Sequence, residues 1–431
     1  MTRTGGVLTT RGRAFLAAGL TLLIGGLLLG FADITRVGVL LTVLPLLADL
    51  RARLNSNHVL LTRTVHPDRL VVDQSARVAI VVKNSSGRRS HLQLAEEQVH
   101  YLLRDRPRFI LPAMVPGEVH EVDYEIRSQV RGRYRLGPVT LRRRDPYGLA
   151  TITASLPDVT DILVLPRVEV LGRERPRADG VGAEGTVPHM VALHGEDDVA
   201  VRTYREGDDL RRIHWPATAH RSELMMRQED HPARRRAVIV LDSRETGHQG
   251  SGTMGSFEWA VTAAASVAAH LSRHQYTLHL ASNETTARSM AAQTIEIDDA
   301  LTSLALAQPG TARQLDDVLK WANPLTTSCG LVVAIVTDQD ESTVRKMAAL
   351  RQSDGTGLMI LLETASFAHA TQPAGPADLS QAIQATQATL AMADLVTASG
   401  WSTCVVSSGM SVAQAWSIMS ARSAVRVGGW R

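Results

Sequence analysis

A short, densely charged segment between residues 201 and 215, "VRTYREGDDLRRIHW", contains the side chains best suited to chemistry. His214 is the residue there that ordinarily titrates near neutral pH, and Asp208 is an acid that a catalytic histidine would need beside it. Catalysis would also require a nucleophile and an oxyanion site within reach, and the segment supplies neither. We predict a structural or partner-binding role. A hydrolase using His214 and Asp208, or a small anion bound by the arginines, remains an alternative.

The charges of this segment are spaced so that they can neutralise one another. Asp208 and Asp209 follow Gly207 and suit the start of a short helix, and Arg211 and Arg212 come three residues later, where helix side chains meet. We expect these ion pairs to hold the segment in one conformation, in which it contacts a partner or another domain. The residues assigned to this contact are Arg202, Tyr204, Gly207, Asp208, Arg211, His214 and Trp215.

A second candidate site lies after residue 236, where buried apolar strands alternate with helices. This pattern predicts a doubly wound α/β domain with a parallel sheet, and ligands bind at the carboxyl ends of such strands. The strands "AVIVLD" and "GLVVAIVTD" end in Asp242 and Asp338, which would then face the same edge.

An aspartate at the end of the first strand resembles the von Willebrand factor A-like domains, whose divalent-metal site reads Asp-x-Ser-x-Ser with a distant Thr and a distant Asp. Arg244 stands where the first serine is usual, and its guanidinium is expected to neutralise Asp242 and Asp338 without a metal. We predict no metal and no cofactor, with a metal-dependent protein-binding module as the alternative. The matching positions are Asp242, Arg244, Thr246, Thr311 and Asp338.

The N-terminal part is apolar enough to anchor the chain in a membrane. Residues 14–32 carry no charge, and a shorter apolar run covers residues 37–48, with arginines flanking the pair on both sides. About 20 helical residues cross a bilayer, and basic residues stay in the cytoplasm. We predict a transmembrane helical hairpin in the cell membrane, with both ends cytoplasmic. A cleaved signal peptide fits less well because a second apolar segment follows at once.

The remaining pattern divides the chain into four parts. Short β-branched runs separated by turn sequences such as "VPGE" and "DPYG" predict a β-sandwich-like domain. The formal charge is only +3, without a long run of like charges, so nucleic acid is not an expected partner. The predicted parts are the hairpin (1–54), the β-sandwich-like domain (55–168), a connector with the charged segment (169–236) and the α/β domain (237–431).

The charged segment resembles the signature of the family named domain of unknown function 58, which reads approximately R-x-Y-x-x-G-D-x-x-R-x-I-H-W-K-A-x-A-R. Pro216 departs from the usual Lys, and His220 from the usual Arg. The run "VRGRYRLGPVTLRRRDPYGL" also resembles the family's lead-in. The resemblance implies association with MoxR-type AAA+ ATPases and a role in assembling or activating other proteins, some at the cell envelope. We therefore expect a membrane-anchored, non-enzymatic adaptor that binds such an ATPase and a client protein.

Overall fold

A computed structural model gives the fold. It describes residues 2–54, 59–172, 200–203, 213, 215–221, 223–228, 236–290, 293–327, 329–352, 355–369 and 376–427. The chain forms two compact units, Met1–Arg167 and Val168–Arg431. The first contains the N-terminal helices and a sheet-rich region, and the second contains an α/β region with a parallel sheet.

Two helices begin the first unit, α1 (Thr10–Leu29) and α2 (Ala32–Leu54). Among the described helices, α1 is the one whose length and composition suffice for crossing a membrane. The second predicted span lies within α2, which does not meet the same measure. The two helices pack closely, since a Cβ on Gly19 would lie 2.6 Å from the Thr42 hydroxyl and one on Gly38 would lie 2.4 Å from the Leu23 nitrogen. Small residues permit such an approach between helices.

The rest of the first unit consists of two β-sheets. The larger has seven strands along the path β1-β9-β8-β10-β3, with β5 joining β8 to β6, and the smaller has the order β2-β4-β7. The strands are β1 (Thr2–Leu8), β2 (Val59–His66), β3 (Arg69–Val71), β4 (Ser75–Asn84), β5 (Gln93–Val99), β6 (Arg108–Leu111), β7 (Val119–Arg127), β8 (Gly132–Arg144), β9 (Ala150–Leu156) and β10 (Thr160–Leu165).

One hydrophobic core joins the two sheets. It contains Ile80 and Ile126 from the smaller sheet and Leu136 and Val164 from the larger one, each almost fully buried. Alternation of buried and exposed residues along β4 and β8 turns one face of each strand inward, as a half-buried strand requires.

A buried ion pair crosses this core. The Arg63 Nε donates to Glu97 Oε1 at 2.7 Å, and both side chains are fully inaccessible. The Tyr124 hydroxyl donates to Glu97 Oε2 at 2.7 Å, and Arg63 Nη1 donates to the Thr160 hydroxyl at 2.9 Å. Burial raises the pKa of Glu97, although the Tyr124 hydroxyl and the Arg63 charge work in the opposite direction. The pair ties the two sheets together in an apolar environment.

The first helix is attached to one end of the larger sheet. β1 runs antiparallel to β9, with Leu8 opposite Ala150, and α1 starts directly afterwards. The Thr9 N–H and hydroxyl both donate to the Leu149 carbonyl, at 2.9 and 3.2 Å, and the hydroxyl donates to the Gly148 carbonyl at 2.7 Å. Gly12 leaves room for the same turn, because a Cβ there would lie 2.2 Å from the Leu149 oxygen. The start of α1 is therefore held by the turn between β8 and β9.

The second unit contains a parallel sheet of five strands in the order β14-β13-β15-β16-β17. Its strands are β13 (Arg236–Leu241), β14 (Thr277–Ala281), β15 (Leu331–Thr337), β16 (Thr356–Leu362) and β17 (Ser402–Val406). Its helices are α4 (Ser256–Arg273), α5 (Asn283–Ala287), α6 (Ile297–Leu306), α7 (Ala312–Thr326), α8 (Glu341–Ala348), α9 (Thr364–His369), α10 (Pro376–Ala398) and α11 (Val412–Val427). A two-stranded sheet of β11 (Ala200–Thr203) and β12 (Met225–Gln228), with α3 (Trp215–Arg221), precedes it along the chain.

Both faces of the parallel sheet are covered, which explains the continuous apolar runs in its strands. Along β13, Ile239 belongs to one core cluster, while Val238 and Val240 belong to the other. Successive strand residues point to opposite faces, so a strand covered by helices on both sides must be apolar throughout.

Candidate functional site

The candidate site lies at the carboxyl edge of the parallel sheet, where the chain reverses its direction of winding. From β13 the chain moves to β14 on one side, and then crosses to β15 on the other side of β13. Ligands in open α/β sheets bind at such a switch point. The carboxyl ends of β13 and β15 bring Asp242 and Asp338 to this edge.

Arg244 binds Asp242 through two parallel hydrogen bonds. Its Nε donates to Oδ1 at 3.0 Å and its Nη2 donates to Oδ2 at 2.8 Å, while the Arg244 N–H also donates to Oδ1 at 3.1 Å. The Thr337 hydroxyl donates to Oδ2 at 3.0 Å. The Asp242 side chain is fully buried, and that of Arg244 is 6% exposed. Both oxygens of the carboxylate are therefore occupied by donors from the protein.

The guanidinium also reaches a second acid, Asp340. Its Nη1 donates to Asp340 Oδ2 at 3.3 Å. Asp340 caps the start of α8, because Oδ1 accepts the Ser342 N–H at 3.0 Å and Oδ2 accepts the Thr343 hydroxyl at 2.5 Å. The Thr343 hydroxyl and, more weakly, Arg244 lower the pKa of Asp340, which is 43% exposed at its side chain.

Arg244 keeps its charge in this setting. Burial alone lowers its pKa, but hydrogen bonds to Asp242 and the charge of that acid outweigh burial, so that the pKa of Arg244 is raised. Planar guanidinium groups match carboxylates in this two-pronged way, and a lysine would not.

Asp338 lies at the same edge but belongs to a different set of contacts. Its Oδ1 accepts the Thr364 N–H at 3.1 Å and the Thr364 hydroxyl at 2.6 Å, and its Oδ2 accepts the Thr389 hydroxyl at 2.6 Å. The expectation that Arg244 neutralises both Asp242 and Asp338 is therefore wrong for Asp338. Asp340 takes the second place because the start of α8 turns its carboxylate toward Arg244, while hydroxyls after β16 and on α10 satisfy Asp338.

The two threonines expected at the site lie on neighbouring loops. Thr246 is exposed in a single 3₁₀ turn, Glu245–Gly247. Thr311 caps the start of α7, and its hydroxyl accepts the Gln314 N–H at 3.4 Å. The loop before Thr311 meets the loop of Arg244 through the backbone, because the Glu245 N–H donates to the Gly310 carbonyl at 2.7 Å. The loops are adjacent, but the Thr311 hydroxyl is occupied in capping its own helix.

His248 is a residue of this site that sequence reasoning missed. Its Nε2 lies 2.9 Å from the Asp242 carbonyl oxygen, and its Nδ1 lies 3.0 Å from the Ser256 hydroxyl. Burial and the nearby Arg244 charge lower the pKa of His248, although Asp242 works in the opposite direction. Ser256 is fully buried and its hydroxyl also accepts the Gln249 N–H at 3.0 Å, so this serine and histidine brace the loop. A histidine six residues after the strand end, in a glycine-rich loop, is the only sequence signal for it.

Most of the charged signature segment lies outside the described residues. This applies to Tyr204, Gly207, Asp208, Arg211 and His214, and to the Arg202 side chain. Trp215 begins α3 and is 67% exposed, so its ring is accessible on the surface. Within the described ranges, no three His, Cys, Asp or Glu side chains are grouped so that they could hold a metal ion.

Residues 200–317 match the family described as "Protein of unknown function DUF58". This match confirms the resemblance to that family for the signature segment and for the α/β region as far as residue 317. The chain is also 28% identical over 126 residues to the uncharacterized protein YeaD of Bacillus subtilis (strain 168), a match that covers 28% of this chain and 31% of that relative.

Two solved structures illustrate the distant similarity that was found. The CARDB domain of a Pyrococcus furiosus protein is 17% identical, with 23% of this chain and 87% of that chain covered, and a TM-score of 0.17. A structure described as an ApaA protein from Bordetella pertussis is 11% identical, with 25% and 94% covered, and a TM-score of 0.20. Scores this low carry no argument about fold or function.

Proposed function

We propose that this chain is a membrane-anchored adaptor that catalyses no reaction and binds protein partners at the carboxyl edge of its parallel sheet. The observation that carries the proposal is the Arg244 guanidinium bound between Asp242 and Asp340 at the switch point. Such an arrangement presents a preformed, partly exposed charged surface through Asp340. The adjacent Ser256 and His248 are turned to bracing the loop, so the edge suits recognition better than bond cleavage.

The proposal includes a von Willebrand factor A-like fold for the α/β unit, with Arg244 in place of the cation. Three features support it: an acid that ends the first strand, an acid that ends β15, and the loop of Thr311 beside the loop of Arg244. A further feature is the isolated antiparallel bridge between Ile295 and Leu278 on β14, the edge strand of the parallel sheet.

We further propose that the helix pair crosses the cell membrane twice and leaves both units in the cytoplasm. The chain enters α1 from β1 and leaves α2 toward β2, and both strands belong to the same unit, which supports one side for both ends. The proposed partners, a MoxR-type AAA+ ATPase and a client protein, rest on the family resemblance. The exposed ring of Trp215 is proposed as part of a second contact surface.

A site-specific cross-linking experiment tests the adaptor proposal. A photoreactive residue replaces exposed Thr246, on the loop of Arg244, in the full chain in its native membrane. The matched control replaces exposed Arg273, at the end of α4 and therefore at the opposite, amino edge of the sheet. An ATPase adduct at position 246 but not at position 273 is expected.

Two results would contradict the proposal. One is equal labelling of the ATPase from both positions. The other is substrate turnover by the purified full chain that disappears in His214→Ala, which would favour the hydrolase.

A further inference from the structure

We propose that the turn between β8 and β9, Asp145–Gly148, rests on phospholipid headgroups beside the start of α1, and that Tyr147 and nearby arginines form this contact. The inference goes beyond the adaptor role. It depends on α1 crossing the membrane, and it concerns how the sheet-rich region is held against the bilayer surface.

The turn between β8 and β9 is attached directly to the start of α1. The Thr9 N–H donates to the Leu149 carbonyl, the Thr9 hydroxyl is shared between the Gly148 and Leu149 carbonyls, and Gly12 lies against the Leu149 oxygen. The turn itself is internally braced, because Asp145 accepts the Tyr147 and Ala150 N–H groups at 3.1 and 2.5 Å. The turn and the first turn of α1 therefore lie at one level.

The position of the apolar run in α1 sets the depth of this turn relative to the bilayer. The uncharged run begins at Ala14, four residues after the first residue of α1. A helix rises about 1.5 Å per residue, so the turn lies roughly 6 Å outside the apolar stretch. The polar headgroup region of a bilayer is roughly 5–8 Å deep on each side of the hydrocarbon core. The turn is thus placed within the headgroup layer.

The exposed side chains on the turn and beside it suit phospholipid headgroups. Tyr147 is 69% exposed at the tip of the turn. Arg144 precedes the turn, and Arg11 and Arg13 lie on the first turn of α1; all three are exposed, and none forms an ion pair within the described part of the chain. Tyrosine rings favour the membrane interface, and guanidinium groups bind phosphate oxygens in pairs. The two carboxylate oxygens of Asp145 are occupied by the turn, so that acid does not compete.

Tyr101 offers a matched control in the same unit. It is 78% exposed, close to the value for Tyr147. It follows β5, whose Val99 lies opposite Leu136 on β8, at the other end of that strand from Arg144. Arg144 lies eight residues after Leu136 on the same strand, a distance of roughly 27 Å at about 3.4 Å per residue. Tyr101 should therefore lie well outside the headgroup layer.

The experiment replaces Tyr147 or Tyr101 by p-benzoyl-phenylalanine, which keeps an aromatic ring, in the full chain reconstituted in phosphatidylcholine–phosphatidylglycerol nanodiscs. After irradiation, mass spectrometry measures protein with one phospholipid attached. We expect phospholipid adducts from position 147 and none from position 101. A second substitution at exposed Pro146 gives the same expected adduct if the change at Tyr147 disturbs folding.

A third position separates the membrane span from the headgroup contact. Ile24, 56% exposed on α1, should form lipid adducts if the helix crosses the bilayer. Adducts from position 24, with positions 146 and 147 as unreactive as 101, would overturn the inference and leave the anchor standing. Absence of adducts from position 24 would overturn both. A missing ATPase adduct at Thr246 would count against the adaptor alone.

Discussion

Each unit of this protein contains a buried arginine–carboxylate pair with a hydroxyl donor, and these two pairs differ in where they lie. Arg63 and Glu97 cross the middle of a core between two sheets, and both side chains are inaccessible. Arg244 and Asp242 lie at the end of two strands and continue to Asp340, whose side chain is 43% exposed. The same chemistry therefore lies wholly inside a core in one unit and extends to a half-exposed carboxylate in the other.

Removing the acid from the inner pair should have the largest effect. Glu97→Ala leaves the Arg63 charge buried, with only the half-exposed Asp158 and a threonine hydroxyl beside it. Breaking a buried pair in this way costs about 3–5 kcal/mol. Urea unfolding of the full chain, monitored by the resistance of the sheet-rich unit to proteolysis, measures this loss of stability.

Arg77→Ala is the matched control for that change. Its pair with Asp123 is exposed, at 69% and 50% for the two side chains. Exposed pairs contribute about 0–1 kcal/mol. Equal losses in the two variants would mean that burial does not set the importance of the inner pair.

At the outer pair, Asp242→Asn should cost less. Arg244 retains Asp340 as a charged partner, while its charge-assisted bonds to Asp242 become weaker. Hydrogen bonds to charged groups contribute about 1.5–3 kcal/mol each, so we expect a loss in that range. Thermal unfolding of the α/β unit measures it, and Asp340→Asn, which alters the half-exposed end of the network, should lose less.

Replacing the arginine should convert the outer site into one that responds to a cation. Arg244→Ser removes the guanidinium and adds a hydroxyl oxygen near Asp242. We expect Mg²⁺ to raise the unfolding temperature of this variant and to leave the original chain unchanged. A ligand at 100 times its dissociation constant stabilises a protein by about 2.7 kcal/mol.

Arg345→Ser, which removes an exposed pair with Glu341, serves as the control for general effects of charge. A Mg²⁺ response of the original chain as large as that of Arg244→Ser would contradict the assignment of the guanidinium to the cation position.

The smallest expected effect is a difference in pH response between the two regions. The pKa of His248 is lowered from 6.5, so the folded state binds fewer protons than the unfolded state, and stability falls as the pH drops from 6.5 through the folded value. The pKa of Glu97 is raised from 4.5, so its contribution has the opposite sign. The stability that Glu97 contributes falls as the pH rises from 4.5 through the folded value.

His248→Gln should flatten the pH response of the α/β unit between pH 6.5 and the folded value, by at most about 1.4 kcal/mol per pH unit for one proton. Limited proteolysis at several pH values, with the sheet-rich unit as the internal reference, measures the slope. An unchanged slope would show that His248 does not titrate with unfolding.

Local patterns in the sequence predict much of this architecture. The uncharged run at residues 14–32 predicts the apolar helix, which the structure places at Thr10–Leu29. The alternation of apolar strands with helices after residue 236 predicts the parallel sheet, because strands covered on both faces must be apolar throughout. The runs "RYRL" and "PVTLRR" belong to one strand, β8, whose first half pairs with β10 and whose second half pairs with β5 and β9.

The sites are less accessible to sequence reasoning. The Asp242 and Arg244 contact is local, two residues apart, and can be anticipated. The partners of Asp338 include Thr389, 51 residues further along the chain, and no short-range pattern indicates which hydroxyl will reach it. The bracing role of His248 depends likewise on a buried serine at the start of α4.

The sequence by itself determined the apolar N-terminal helix, the alternation that forms the parallel sheet, and the acids at its strand ends, because these follow from hydrophobic periodicity and strand length. Only the tertiary structure decided that the guanidinium of Arg244 binds Asp340 beside Asp242, which hydroxyls donate to Asp338, and which turn holds the start of α1. Those outcomes depend on contacts between residues far apart in the chain, whose distances are set by how strands and helices pack.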